Sequence, residues 1–193
     1  MRILKYPHPA LRHKSKPLRR VDTELKLSVR AMFDLMYEHK GIGLSANQVD
    51  LPYRLFVLNV ESESAAVEHE HVFINPVIAK RKGNIEAEEG CLSFPGIYAP
   101  VRRSEKITIS AYNLAGEEVT SELSGLLGRA AQHEYDHLDG VLFIDRLSPS
   151  GHLAVKEALA ELERQFEGDR SRGLIPDDAQ IAARLAEFEA LRT

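Results

Sequence analysis

The chain has 193 residues, 44% of them hydrophobic and 28% charged, with a formal net charge of −4 and one cysteine. That length and apolar content suffice for one sizeable core, and no apolar stretch approaches the roughly twenty residues of a membrane-spanning helix. The charge balance gives no reason to expect nucleic-acid binding by the whole surface or specific DNA binding, and a lone cysteine excludes an intrachain disulfide.

The chain opens on a basic stretch (Arg2, Lys5, Arg12, Lys14, Lys16) with no apolar signal core behind it, which together with the single cysteine points to a cytoplasmic protein. Arg12, Lys14, Lys16, Arg19 and Arg20 form a basic run that reads first as a solvated surface segment. Asp22 or Thr23 can cap a first helix, in which Leu25, Val29, Met32 and Met36 keep helical spacing up to Gly41; glycine after Glu38-His39-Lys40 fits a helix C-cap. Strand-like runs follow at 54–60, 72–74 and 106–112, with Asn113-Leu114-Ala115-Gly116 as a hairpin turn into 117–120. The polar segment from Glu61 to His71 reads as a loop whose His69 and His71 are solvated. Strands followed by a core helix indicate an α+β fold, with antiparallel strands around that helix.

The core helix carries Gln132-His133-Glu134-Tyr135-Asp136-His137. Residues four apart share a helix face, so His133 and His137 can grip one metal ion, while Glu134 points about 100° away and suits a base acting on metal-bound water. Small and apolar residues from Gly125 to Ala131 lead into the motif, and Gly140 is a helix stop. Arg129, one turn before His133, is expected to snorkel to solvent, with the site's mouth as the alternative. Beyond it, Leu153, Leu159, Leu162 and Phe166 mark one amphipathic helix. Ile181, Leu185, Phe188 and Leu191 mark another after Pro176, and both are expected to pack back on the domain. The chain therefore divides into a catalytic part, 1–150, and a C-terminal helical extension of the same domain, 151–193.

A third ligand decides the class of hydrolase. Glu157 lies downstream in a solvated-looking acidic stretch, whereas Cys91, in Glu89-Gly90-Cys91-Leu92-Ser93, offers a thiolate. Two imidazoles and a thiolate leave one tetrahedral position open for catalysis. Cys91 could also be an inert buried thiol or a nucleophile paired with a histidine, but the paired helical histidines make metal ligation the simpler account.

Three segments, Gly41-Ile42-Gly43-Leu44-Ser45-Ala46-Asn47-Gln48, Glu89-Gly90-Cys91-Leu92-Ser93 and His133-Glu134-Tyr135-Asp136-His137, resemble the three signature motifs of the peptide deformylase family in order and spacing. The resemblance runs from near Met1 to about Pro149, and Ser45 departs from the family's usual alanine, with a local change in hydrogen bonding as the expected result. It implies removal of the N-terminal formyl group from formyl-methionine of newly synthesised polypeptides, with one divalent metal per chain on Cys91, His133 and His137. Fe2+ is the implied physiological ion, and Zn2+, Ni2+ or Co2+ suit the same donors. It implies Glu134 as base, the Gln48 amide and Leu92 N–H as oxyanion donors, edge pairing of an extended peptide at Gly43, and a methionine pocket with Ile42, Leu126 and Ala130. The basic run near the start then has a sharper alternative reading as a ribosome contact. The rival functions are a zinc peptidase with a ligand other than Cys91 and a peptide-binding module without turnover.

Overall fold

The structure, a computed structural model, describes residues 1–61 and 67–193. The expected polar loop lies partly outside the described residues, at 62–66. Asp22 Oδ1 accepts the Leu25 N–H at 2.9 Å and starts α1 (Thr23–Glu38), which buries Leu25, Val29, Met32, Phe33 and Met36 along one face. The left-handed residue that ends α1 is Lys40 (φ 55°), not a glycine. Gly41 is kept small for packing, since a Cβ there would lie 2.6 Å from Leu92 Cδ1.

Five antiparallel strands form the main sheet in the order β1 (Gly43–Ser45), β2 (Leu55–Leu58), β3 (His71–Lys82), β6 (Lys106–Tyr112) and β7 (Glu118–Ser124). β3 runs well past the expected 72–74 because Asn75 bridges an interruption. At φ 51° its side-chain amide bonds both the N–H and C=O of Leu18 at 2.8 Å, and the ladder resumes beyond a bulge. A separate two-stranded sheet, β4 (Ile85–Cys91) and β5 (Phe94–Arg103), has no counterpart in the strand runs read from sequence. β4 is mostly exposed and carries three glutamates, and β5 contains Pro95 and Pro100, which a two-stranded ribbon tolerates because each strand has a free edge.

α2 (Gly125–Leu138) lies against the main sheet, touching β1, β2, β6 and β7. Gly128 permits this, because a Cβ would come within 2.9 Å of the Leu123 backbone. α3 (Pro149–Ser171) packs against β5 and α4 (Asp178–Arg192) against the short helix Pro9–Arg12, where Leu162, Phe166, Ile181 and Leu185 are buried, three of them in one cluster with Leu4, Phe94 and Phe143. Two residues of the expected stripes are not part of that packing: Leu153 is 73% exposed and Leu191 64%, and on α3 Val155 takes the inward place. Three members of the basic run are paired within the protein, Arg12 to Asp145, Lys16 to Glu189 and Arg20 to Asp22. Among the described residues no helix is long and apolar enough to cross a membrane.

Candidate metal centre

Cys91 stands at the end of β4 and the two histidines on α2, and the fold brings one donor atom from each of Cys91, His133 and His137 within 4.8 Å of the others. Cys91 Sγ is 3.4 Å from His137 Nε2, and the two imidazoles are edge to face at 5.1 Å between centroids. Glu157 is exposed, and among the described residues it joins no group able to hold a metal.

The supporting shell is ionic and was not visible in the sequence. His133 Nδ1 is 3.0 Å from Glu89 Oε2, so the ring donates there and keeps Nε2 for the cluster. Glu89 also receives Arg103 Nε at 2.6 Å, Arg103 Nη2 at 2.9 Å and Arg129 Nη1 at 2.7 Å. Arg103 reaches Asp136 at 2.7 Å, and Asp136 accepts both Nε and Nη2 of Arg146. Burial disfavours the Glu89 carboxylate, but the His133 and Arg103 hydrogen bonds outweigh it and hold its pKa at about 2. Arg129 does not snorkel as expected: it is pinned to Glu89, Val101 O at 3.0 Å and Ile85 O at 2.8 Å, on the pocket wall.

Four buried side-chain atoms have no hydrogen-bond partner among the described residues, and two of them, Glu134 Oε2 and His137 Nδ1, lie at this site. Burial opposes a charge on His133, yet Cys91 and Glu89 draw a proton onto it and raise its pKa to about 10. The surroundings therefore favour one positive charge at this point, and a thiolate with two imidazoles is a donor set that zinc or ferrous iron fits. Glu134 is fully enclosed, and burial lifts its carboxyl to about 7 against the opposing pull of His133 and Arg103. Gly43 admits that carboxylate, since a Cβ there would sit 2.6 Å from Glu134 Oε1.

Gln48 reaches the same point from the short helix after β1. Its Oε1 accepts from Ser45 N at 2.9 Å and Ser45 Oγ at 3.0 Å, so its Nε2 is turned toward Cys91 Sγ at 3.4 Å and Ser93 Oγ at 3.2 Å. The Ser45 hydroxyl is thus spent on the Gln48 amide. Leu92 occupies the tight turn between β4 and β5, and its carbonyl accepts Lys5 Nζ at 2.7 Å. A cavity of about 460 Å³ opens beside these groups. Its lining includes Gln48, Cys91, Leu92, His133 and Glu134 together with Ile42, Gly43, Leu126 and Ala130. Sequence reasoning missed Lys5 and Tyr98 on this wall, each of which reads as an ordinary surface residue in a linear chain, while Arg129 takes the place at the site's mouth that was its alternative reading.

Residues 1–152 match the family model for polypeptide deformylase. A peptide deformylase of Rhodopirellula baltica is 44% identical over 191 residues, 99% of this chain and 94% of that relative. Among solved structures, peptide deformylase from Plasmodium falciparum is 43% identical with a TM-score of 0.85, covering 86% of this chain and 98% of that one. Arabidopsis thaliana peptide deformylase 1B is 44% identical with a TM-score of 0.84, covering 92% and 97%.

Proposed function

The chain belongs to the peptide deformylase family and removes the N-formyl group from newly synthesised polypeptides, and from that premise we propose which of its residues carry the reaction. The observation that supports the assignment is the convergence of Cys91, His133 and His137 donor atoms within 4.8 Å on a cavity that Glu134 and Gln48 also line. Cys91, His133 and His137 hold the ion, which when bound supplies Lewis acidity and lowers the pKa of water toward about 7. Ferrous iron is the proposed resident ion, with zinc, nickel and cobalt as ions the same donors accept.

Glu134 takes the proton of the attacking water and passes it to the departing amine. A carboxylate held at about 7 can do both near neutral pH, because neither form is strongly disfavoured. The Gln48 side-chain N–H and the Leu92 backbone N–H stabilise the negative charge that develops on the formyl oxygen as water adds to the formyl carbon. Ile42, Leu126 and Ala130 face the methionine side chain, and the backbone at Gly43 pairs with the extended peptide. In this reading the enzyme works in the cytoplasm on nascent chains near the ribosome.

The test is release of formate from a formyl-Met-Ala-Ser peptide by protein prepared anaerobically with iron, compared with the chelator-stripped form. Metal-dependent release together with loss of most turnover in Glu134→Gln, at unchanged metal content, is the expected result. A Glu134→Gln enzyme with the parental rate would remove Glu134 from the mechanism.

A further inference from the structure

We propose that the concave surface beside the β3–β4 and β5–β6 turns binds the phosphates of a single-stranded polyanion, RNA-like in its chemistry, at a site separate from the metal centre. A cavity of about 420 Å³ opens there, lined by four arginines, Arg81, Arg102, Arg103 and Arg146, with Ser104 and Gln132 among its polar neighbours and no carboxylate among its described lining residues.

The hydrogen bonds show which of these cations are spoken for. Arg103 is fully committed to Glu89 and Asp136. Arg146 gives Nε and Nη2 to Asp136 and keeps Nη1. Among the described residues the Arg81 side chain makes a single hydrogen bond, from Nη1 to the neutral amide oxygen of Gln132 at 3.1 Å, and meets no carboxylate. Arg102 has, among the described residues, only Glu86, at 3.9 Å between two largely exposed side chains, an ion pair of little worth. Guanidinium forks left in this state, converging on one cavity, suit a tetrahedral oxyanion such as phosphate.

The charge continues outside the cavity, which is why a strand is favoured over a free phosphate. Segments 80–82 and 102–106 carry Lys80, Arg81, Lys82, Arg102, Arg103 and Lys106 against a single acid, Glu105. Lys82 and Lys106 stand directly opposite each other in the β3–β6 ladder. Like charges so placed destabilise a strand pair, and here Lys106 has only Glu122 at 3.8 Å as relief while Lys82 has no ion pair among the described residues. A phosphate in the cavity with its neighbours along this lysine row would satisfy both features.

The experiment uses the intact metal-loaded enzyme. Binding of a labelled 12-nucleotide single-stranded RNA is followed by anisotropy at several salt concentrations, with inorganic phosphate titrated separately, for the parent, Arg81→Gln/Arg102→Gln and the charge-keeping Arg81→Lys/Arg102→Lys. The expected result is RNA binding weakened about tenfold or more by the glutamine pair and largely restored by the lysine pair. The salt slope should fall by about 1.4, at roughly 0.7 per lost contact. Deformylation of a short formyl peptide should be the same in all three, since neither arginine lines the catalytic cavity. Phosphate binding that depends on Arg81 and Arg102 without RNA binding would overturn the strand and leave a site for a free phosphorylated molecule. No binding of either probe, or binding indifferent to both arginines, would overturn the proposal.

Discussion

His133 Nδ1 and Glu89 Oε2 are 3.0 Å apart across the join between α2 and β4, which makes the orientation of one proposed ligand depend on a residue two positions before another. Removing the negative charge at Glu89 leaves Arg103 and Arg129 without their shared partner in a buried setting. Glu89→Gln should weaken metal affinity about 10- to 100-fold and lower stability by about 3–5 kcal/mol. Chelator competition and thermal melting of the metal-loaded protein check the two effects separately. Unchanged affinity would mean that Glu89 serves folding alone.

Ser45 supplies two donors to Gln48 Oε1, one of them its hydroxyl. With both in place the amide cannot turn over without losing two bonds, so Nε2 stays toward the cavity. Gln48→Ala should cost about 100-fold or more in kcat. Ser45→Ala keeps the backbone donor and should cost about 2- to 10-fold, the worth of one neutral hydrogen bond. Both losses should appear in kcat with KM nearly constant; a change in KM alone would place Gln48 in ground-state binding.

α4 clamps the N-terminal segment. Glu189 accepts from His13 at 2.8 Å and Lys16 at 2.7 Å, while Arg192 bonds Asp22, the cap of α1, at 2.9 Å and Glu24 at 2.6 Å. Ile181→Ala should destabilise by about 2–4 kcal/mol, as expected for a fully buried aliphatic side chain. Denaturant unfolding measures this, and a loss under 1 kcal/mol would show that α4 docks only through its charges.

His8 is buried with Nδ1 accepting the Ala10 N–H at 3.2 Å, edge-on to Phe166. Burial, with help from Arg184, Arg2 and Arg170, lowers its pKa from 6.5 to about 4. The unfolded chain therefore takes up this proton first. The contribution of His8 to stability is full above about pH 6.5, declines as the pH falls toward 4, and changes no further below that. His8→Asn, which keeps an acceptor but does not titrate, should flatten the fall in melting temperature between pH 6.5 and 4. An identical fall in both proteins would assign it to other groups.

The proposed histidine ligands and the proposed base beside them were legible because residue spacing along a helix is itself geometry. Cys91 was legible as a candidate ligand from its thiolate chemistry and its motif, but its strand was not, since Glu86, Glu88 and Glu89 break the alternation of a half-buried strand. For the same reason Glu89 looked like one more surface charge. Its role arises from Arg103 and Arg129, fourteen and forty residues away, and long-range ion pairs leave no local trace. Arg129 shows the same limit: helical spacing gave its face correctly but not the strand carbonyls waiting to bind it. The C-terminal stripes were legible in period but not in full membership. Leu153 lies two residues from both Gly151 and Val155, which are buried, so it stands about 200° round the helix from each and faces solvent.

Cys91 and the histidines belong to different bodies of the fold, a two-stranded ribbon and a helix seated on the five-stranded sheet. An ion held by the proposed three ligands is therefore also a cross-link between those bodies. It adds to folding free energy by mass action, about 2.7 kcal/mol when free metal is a hundredfold above its dissociation constant. Loss of such an ion would then loosen the ribbon from the helix as well as stopping turnover. The melting temperature of this enzyme becomes a readout of how well the cell supplies its metal.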